Sequence, residues 1–193
     1  MVERVLITTA LEDTWPEYDT PVLFLGEWCK LYSSKDKWSK FDSMIVPYHW
    51  DDREKLKKDY SYFEKLHEEL LNELAEDLNN IHKTQFTVNY WRILIGPWLG
   101  YFTHIIYDRW YMINTALKRF SKLSTIILKL DEDNLVPNDM NHFHDLYSSD
   151  LWNHFIYGKI IDISIISNVL PKKPNASQKS NEIRYKIQQK IKF

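Results

Sequence analysis

The sequence predicts an alternating α/β fold built on a parallel sheet. Three observations carry that prediction. Short aliphatic and β-branched runs are too brief for helices, long segments with apolar residues every three or four positions lie between and after them, and proline or glycine punctuates the runs.

The first run is Arg4-Val-Leu-Ile-Thr-Thr9 and the second is Pro21-Val-Leu-Phe-Leu-Gly26, closed by a glycine. Their apolar stretches do not alternate with polar residues, as expected of strands covered on both faces. Ser43-Met-Ile-Val-Pro-Tyr48 is a weaker third strand, because Pro47 has no N–H to give a ladder. Ser124-Thr-Ile-Ile-Leu-Lys-Leu130 is the fourth. The best helix starts at Asp51, whose carboxylate can cap the first amides, with Glu54 at the reciprocal capping-box position. Leu56, Tyr60, Phe63, Leu66, Leu70, Leu74, Leu78 and Ile81 then form one apolar stripe up to about Asn80, opposite a charged, solvated face. A second long helix runs from Thr87 to about Phe120, and Gly96-Pro97 in its middle predicts a kink or a split. Helical spacing returns over Asn138–Tyr147 and from Asp150 to about Ile166. From Pro171 the chain is polar and basic with little to bury, so a loose tail is expected, with a short helix over Glu182–Phe193.

Composition narrows the function. The 193 residues suit one domain with a core. A net charge of −2 with acids and bases intermixed builds no field for a phosphate backbone, so nucleic acid is not an expected partner. Cys29 is the single cysteine, which excludes an internal disulfide and a cysteine-based zinc site and fits a reducing compartment. The apolar run after Met1 is too short for a signal peptide, and the expected location is the cytoplasm. Tyr90 to Tyr107 is strongly apolar, yet it contains Arg92, Pro97 and His104 and falls short of the roughly 20 apolar residues of a membrane span. Aromatics reach 15% of the chain, with eight Trp and twelve Tyr, which fill cores and also stack on sugar faces.

In an open parallel sheet, ligands bind beyond the carboxyl ends of the strands. Those places hold Thr8, Thr9, Glu12 and Trp15 after the first strand, Glu27, Trp28 and Cys29 after the second, and His49, Trp50, Asp51 and Arg53 after the third. Each edge joins a carboxylate to an aromatic ring, a pairing that binds sugar hydroxyls and stacks sugar rings. Glu27, His49 or Asp51 is then a candidate base for an acceptor hydroxyl. Each also has a structural reading, as a helix cap, a core ring or a first-turn acid. Arg92, Trp98 and Arg109 lie on the greasy helix, where a guanidinium pairs with a carboxylate or a phosphate. The glycine-rich dinucleotide loop, the P-loop, the hydrolase elbow and the zincin motif are absent. Asp131-Glu132-Asp133 is a weak metal signal in the turn context of Asn134 and Pro137, and no metal is expected.

The blocks Leu6–Pro16, Val22–Tyr32, Pro47–Arg53, Tyr90–Leu99, Asp108–Trp110 and Val136–Asp139 resemble the start of a family of transferases encoded in bacterial O-antigen and exopolysaccharide clusters, over roughly residues 4 to 160. The resemblance implies a fold similar to the amino-terminal half of GT-B glycosyltransferases and glycerophosphotransferases. It also implies a sugar or sugar-phosphate acceptor and a nucleotide-activated donor held by a separate half, with no cofactor in this chain. On that basis residues 1–168 are expected to form a Rossmann-like amino-terminal domain of a truncated or split enzyme, and residues 169–193 its tail. Two other readings stay open: a non-catalytic sugar- or partner-binding domain, and a metal-dependent GT-A-like transferase using Asp131 and Asp133.

Overall fold

The computed structural model describes residues 3–130, 135–166 and 182–188, with side chains described as far as Ser164. It contains β1 (Arg4–Ile7), β2 (Val22–Phe24), α1 (Lys35–Trp38), β3 (Ser43–Ile45), α2 (Arg53–His82), α3 (Val88–Arg119), β4 (Lys122–Leu128), α4 (Met140–Tyr147), α5 (Asp150–Ile166) and β5 (Glu182–Gln188). The sheet order is β3-β2-β1-β4-β5, with the first four strands parallel and β5 antiparallel to β4. The fold is therefore α/β, with a Rossmann-like parallel sheet of four strands and long helices. The short helix expected over Glu182–Phe193 is corrected, since Glu182–Gln188 pairs as a strand. Residues 169–181 lie outside the described residues.

The chain divides into two compact units, one formed by Met1–Tyr48 with Arg109–Phe193 and the other by His49–Asp108. In the first, β2 is buried at every position, and Leu6, Ile7, Phe24 and Leu25 pack with Met112, Ile113 and Ala116 of α3 and with Tyr157 and Ile161 of α5. Burying such side chains on both faces of the central strands contributes about 1.5–3 kcal/mol each and fixes the register. Gly158 lets α5 lie close to β4, because a Cβ there would stand 3.2 Å from Ile127 Cγ2. β3 is the thin edge of the parallel set. Ser43 and Met44 are exposed, which is the physical content of the weak third run.

The second unit is the antiparallel-type pairing of α2 with the first part of α3, where Leu71, Ala75, Trp91 and Leu99 make a separate core. The cap of α2 is Asp52, whose carboxylate accepts from the amides of Glu54 and Lys55, and the expected cap at Asp51 is off by one because His49–Asp51 forms a 3-10 turn first. The buried line on α2 is centred on Phe63, Leu71 and Ala75, whereas Tyr60 and Ile81, expected in the stripe, are exposed. Of the kink or split expected at Gly96-Pro97, the split does not occur: α3 runs unbroken through Pro97. His67 Nε2 lies 3.0 Å from the Gly96 carbonyl, adding a polar contact beside the helix position that proline leaves without an amide donor.

At the end of α2, Lys83 takes a left-handed conformation with φ 54° and ψ 44° while its N–H closes on Asn79 and Asn80. A side chain in that region costs about 1–2 kcal/mol that glycine does not incur. Lys83→Gly should therefore stabilise the protein, offset in part by the freedom glycine gains in the unfolded chain. The expected net gain is about 0.5–1 kcal/mol in urea denaturation, and a loss of stability contradicts it.

Candidate functional site

In the order β3-β2-β1-β4 the chain crosses from one side of β1 to the other, so the switch in strand order falls between β1 and β4. Their carboxyl ends are tied together by a residue of α5. The Leu128 N–H can only donate, and it donates to His154 Nε2 at 3.0 Å, so that nitrogen carries a lone pair. The ring proton of the neutral imidazole then sits on Nδ1, 3.4 Å from Thr8 Oγ1. His154 is 1% exposed, and burial pushes its pKa from 6.5 down to about 4. It is a neutral brace at pH 7. One turn earlier, the Asp150 carboxylate accepts the Ala10 N–H through Oδ1 at 3.2 Å.

Of the residues expected after β1 and β2, Thr8 and Trp28 meet at this edge. Thr8 is buried and serves both sides, its hydroxyl meeting His154 and its carbonyl accepting the Trp28 Nε1–H at 2.9 Å. Trp28 also sets its edge on Tyr48, with ring centroids 6.1 Å apart. Thr9 is buried, and neither its hydroxyl nor the buried Trp15 Nε1 has a hydrogen-bond partner among the described residues. The Trp15 ring meets Phe41 edge-on at 5.9 Å. Glu12 is engaged by Lys37 and by Ser34 Oγ at 2.6 Å, and those hydrogen bonds hold its carboxyl below the usual range. Glu27 opens a 3-10 turn with its carboxylate exposed and paired to Lys30 at 2.8 Å. Beside it, Cys29 is sealed: burial pushes its thiol up to about 12, so it is no nucleophile at neutral pH.

Arg109, on the α3 segment of this same unit, gives Nε and Nη2 to Asn153 Oδ1 at 3.1 and 2.9 Å. In the His49–Asp108 unit, His49 is buried with Nε2 3.0 Å from Asp108 Oδ1. Trp50 donates to Asp59 at 2.9 Å, and Asp59 also pairs with Lys55. Burial opposes both charges of that pair. Hydrogen bonds from Lys55 and Trp50 nevertheless hold Asp59 low, and those to Asp59 and Tyr107 hold Lys55 high. Asp51 and Arg53 are exposed at the start of α2. Arg92 closes both arms of its guanidinium on Glu68, at 2.5 and 2.8 Å, and Trp98 stacks on Phe102 at 5.0 Å. A shallow depression of about 450 Å³ in this unit is lined by Glu76, Asn79, Asn80, Thr84, Gln85 and Phe86, none of them expected at the site.

Sequence reasoning missed Asp150 and His154. Asp150 showed only as a helix start, and His154 carried no local signal, because its partners stand far away in the chain. Asp131 and Asp133 lie outside the described residues. Among the described residues, no three His, Cys, Asp or Glu side chains are grouped to hold a metal ion, and no helix is long and apolar enough to cross a membrane.

No curated protein and no solved structure matches the chain. The family match is extensive and runs past residue 160, the approximate limit of the resemblance read from the sequence. With a Rossmann-like sheet whose switch point carries the polar side chains, residues 4–192 match the LIC12162 family transferase, and the chain belongs to that family.

Proposed function

We propose that this transferase acts on a sugar or sugar-phosphate acceptor in the synthesis of surface polysaccharide, in the cytoplasm, with a glycosyl group as the moiety transferred. The observation that carries the reading is the unspent hydrogen-bonding capacity after β1. The Thr9 hydroxyl is buried without a partner among the described residues, at the sheet edge where ligands of open α/β folds bind, and the Trp15 indole N–H is in the same state farther along the connection to β2. A buried polar group left in that state costs about 1–3 kcal/mol, which a polyhydroxylated ligand offsets by bonding to it once movement of the edge admits the ligand to these sealed atoms. Thr8, Thr9, Glu12, Trp15 and Trp28 frame the acceptor in this proposal. The acceptor hydroxyl gives up its proton to a base, its oxygen attacks the anomeric carbon of a nucleotide sugar, and the nucleoside diphosphate leaves with the electrons of the broken bond. Glu27 is assigned as the base, being a carboxylate accessible at the end of β2. We assign the donor to no residue of this chain.

Calorimetric titration with methyl glycosides tests the reading. Binding by the wild-type chain, weakened at least fivefold in Glu27→Gln, is expected. Parallel titration of His49→Ala tests the second candidate base by itself. Unchanged heats in Glu27→Gln remove that residue, and no heat with the wild-type chain removes the sugar reading.

A further inference from the structure

Asp150 is the first residue of α5 and stands at the carboxyl edge of β1. An acid in a first turn is ordinarily explained by the helix it begins. Here the capping work is done by its neighbour, because Ser149 Oγ accepts the Trp152 N–H at 3.2 Å. The Asp150 side chain reaches instead to Ala10, across 140 positions of sequence, and spends one oxygen on that amide. It makes no other hydrogen bond and no ion pair among the described residues, although it is half-buried. An ionised carboxylate offers about four acceptor positions, so most of its capacity is unused.

Among the described residues no cation forms an ion pair with it. One turn along α5, His154 is neutral, since both ring nitrogens are committed to Leu128 and Thr8. The residue before Ala10 is Thr9, whose buried hydroxyl also lacks a partner. The carboxylate is thus held by one backbone amide at the strand-order switch, and its second oxygen has no hydrogen-bond partner among the described residues. Neutral O–H donors suit it; a phosphate, which brings only negative oxygens, does not.

We propose that Asp150 is a hydroxyl-binding residue of the acceptor site, its Oδ2 accepting from one or two ring hydroxyls of an uncharged sugar while Oδ1 stays on Ala10. The proposal rests on the sugar-acceptor reading above and adds the residue that recognises the ring and the part of the ligand it meets. It predicts discrimination against an acceptor whose phosphate must lie at this edge.

The test is Asp150→Asn in the full chain, read by calorimetry with methyl α-glucoside, methyl α-galactoside and methyl α-rhamnoside. Asparagine keeps an oxygen for Ala10 but replaces the second acceptor with an NH₂ donor. The expected result is a loss of at least tenfold in affinity for whichever glycoside the wild type binds, with the melting temperature unchanged within 2–3 °C, on the order of the shift for a 1 kcal/mol change or less. Asp150→Glu is expected to recover part of the binding. If Asp150→Asn binds as the wild type does, the assignment of Asp150 fails and the sugar reading survives. If affinity falls only in step with melting temperature, Asp150 is structural and the proposal is overturned. If the wild type binds none of the three, the sugar reading fails and takes this assignment with it.

Discussion

Gly26→Ala should destabilise the protein by about 1–3 kcal/mol, the range for forcing atoms into a filled space. Gly26 is fully extended, with φ −172° and ψ 175°, so the backbone tolerates alanine. The obstacle is the Trp28 ring: a Cβ on Gly26 would lie 2.1 Å from Cζ3, 2.3 Å from Cη2 and 2.4 Å from Cε3. Three atoms of one rigid bicycle cannot all yield without the whole ring moving. That movement would break the Trp28 bond to the Thr8 carbonyl and disturb the edge-on contact with Tyr48. Urea denaturation of Gly26→Ala, Trp28→Ala and the double variant checks the mechanism. Because removing the indole removes the clash, the double variant should lose clearly less than the sum of the two. Additive losses would show that the glycine is needed for some other reason.

A second large effect is expected in acid. The His154 pKa of about 4 in the native chain lies below the ordinary 6.5, so the unfolded chain takes up a proton first. Above about pH 6.5 both forms are neutral and this residue makes no contribution that changes with pH. Between about 6.5 and 4 the unfolded state binds a proton that the native state refuses, and stability falls. Below about 4 the loss levels off. At about 1.4 kcal/mol for each pH unit between the two values, the full loss is about 3 kcal/mol. His154→Gln, whose amide oxygen can still accept from Leu128, should show a flatter stability profile over that window although its stability at pH 7 is lower. Parallel wild-type and variant curves from pH 7 to pH 4 would contradict the assignment.

The parallel sheet was legible because its strands are unbroken apolar runs, a pattern that comes from cover on both faces and needs no knowledge of partners. β5 was not, although Glu182-Ile-Arg-Tyr-Lys-Ile-Gln188 alternates with period two, the pattern of a strand covered on one face. The polar, basic composition around it masked the period. The cap at Asp52 was missed by one position because two adjacent aspartates satisfy the same rule, and the 3-10 turn over His49–Asp51 decides between them. At the candidate site, the residues next to the strands were legible and their partners were not. Nothing local in Arg92 or Glu12 says that Glu68, Ser34 and Lys37 will occupy them. Likewise Asp150 and His154 acquire their meaning from Ala10 and Thr8, 140 and 146 positions away.

The interruption of the first unit by residues 49–108 bears on how the chain is made. During synthesis β1 emerges early, and β2 is complete by residue 24, but the other neighbour of β1, β4, is not complete until residue 128. The Thr125 hydroxyl bond to the Leu6 carbonyl closes a span of 119 positions. The α2–α3 hairpin is contiguous and can nucleate on the ribosome while β1 still has one open edge, since short-range contacts form before long loops close. A nascent chain stalled before residue 122 therefore carries an aliphatic strand exposed on one side, a point at which a chaperone has reason to bind.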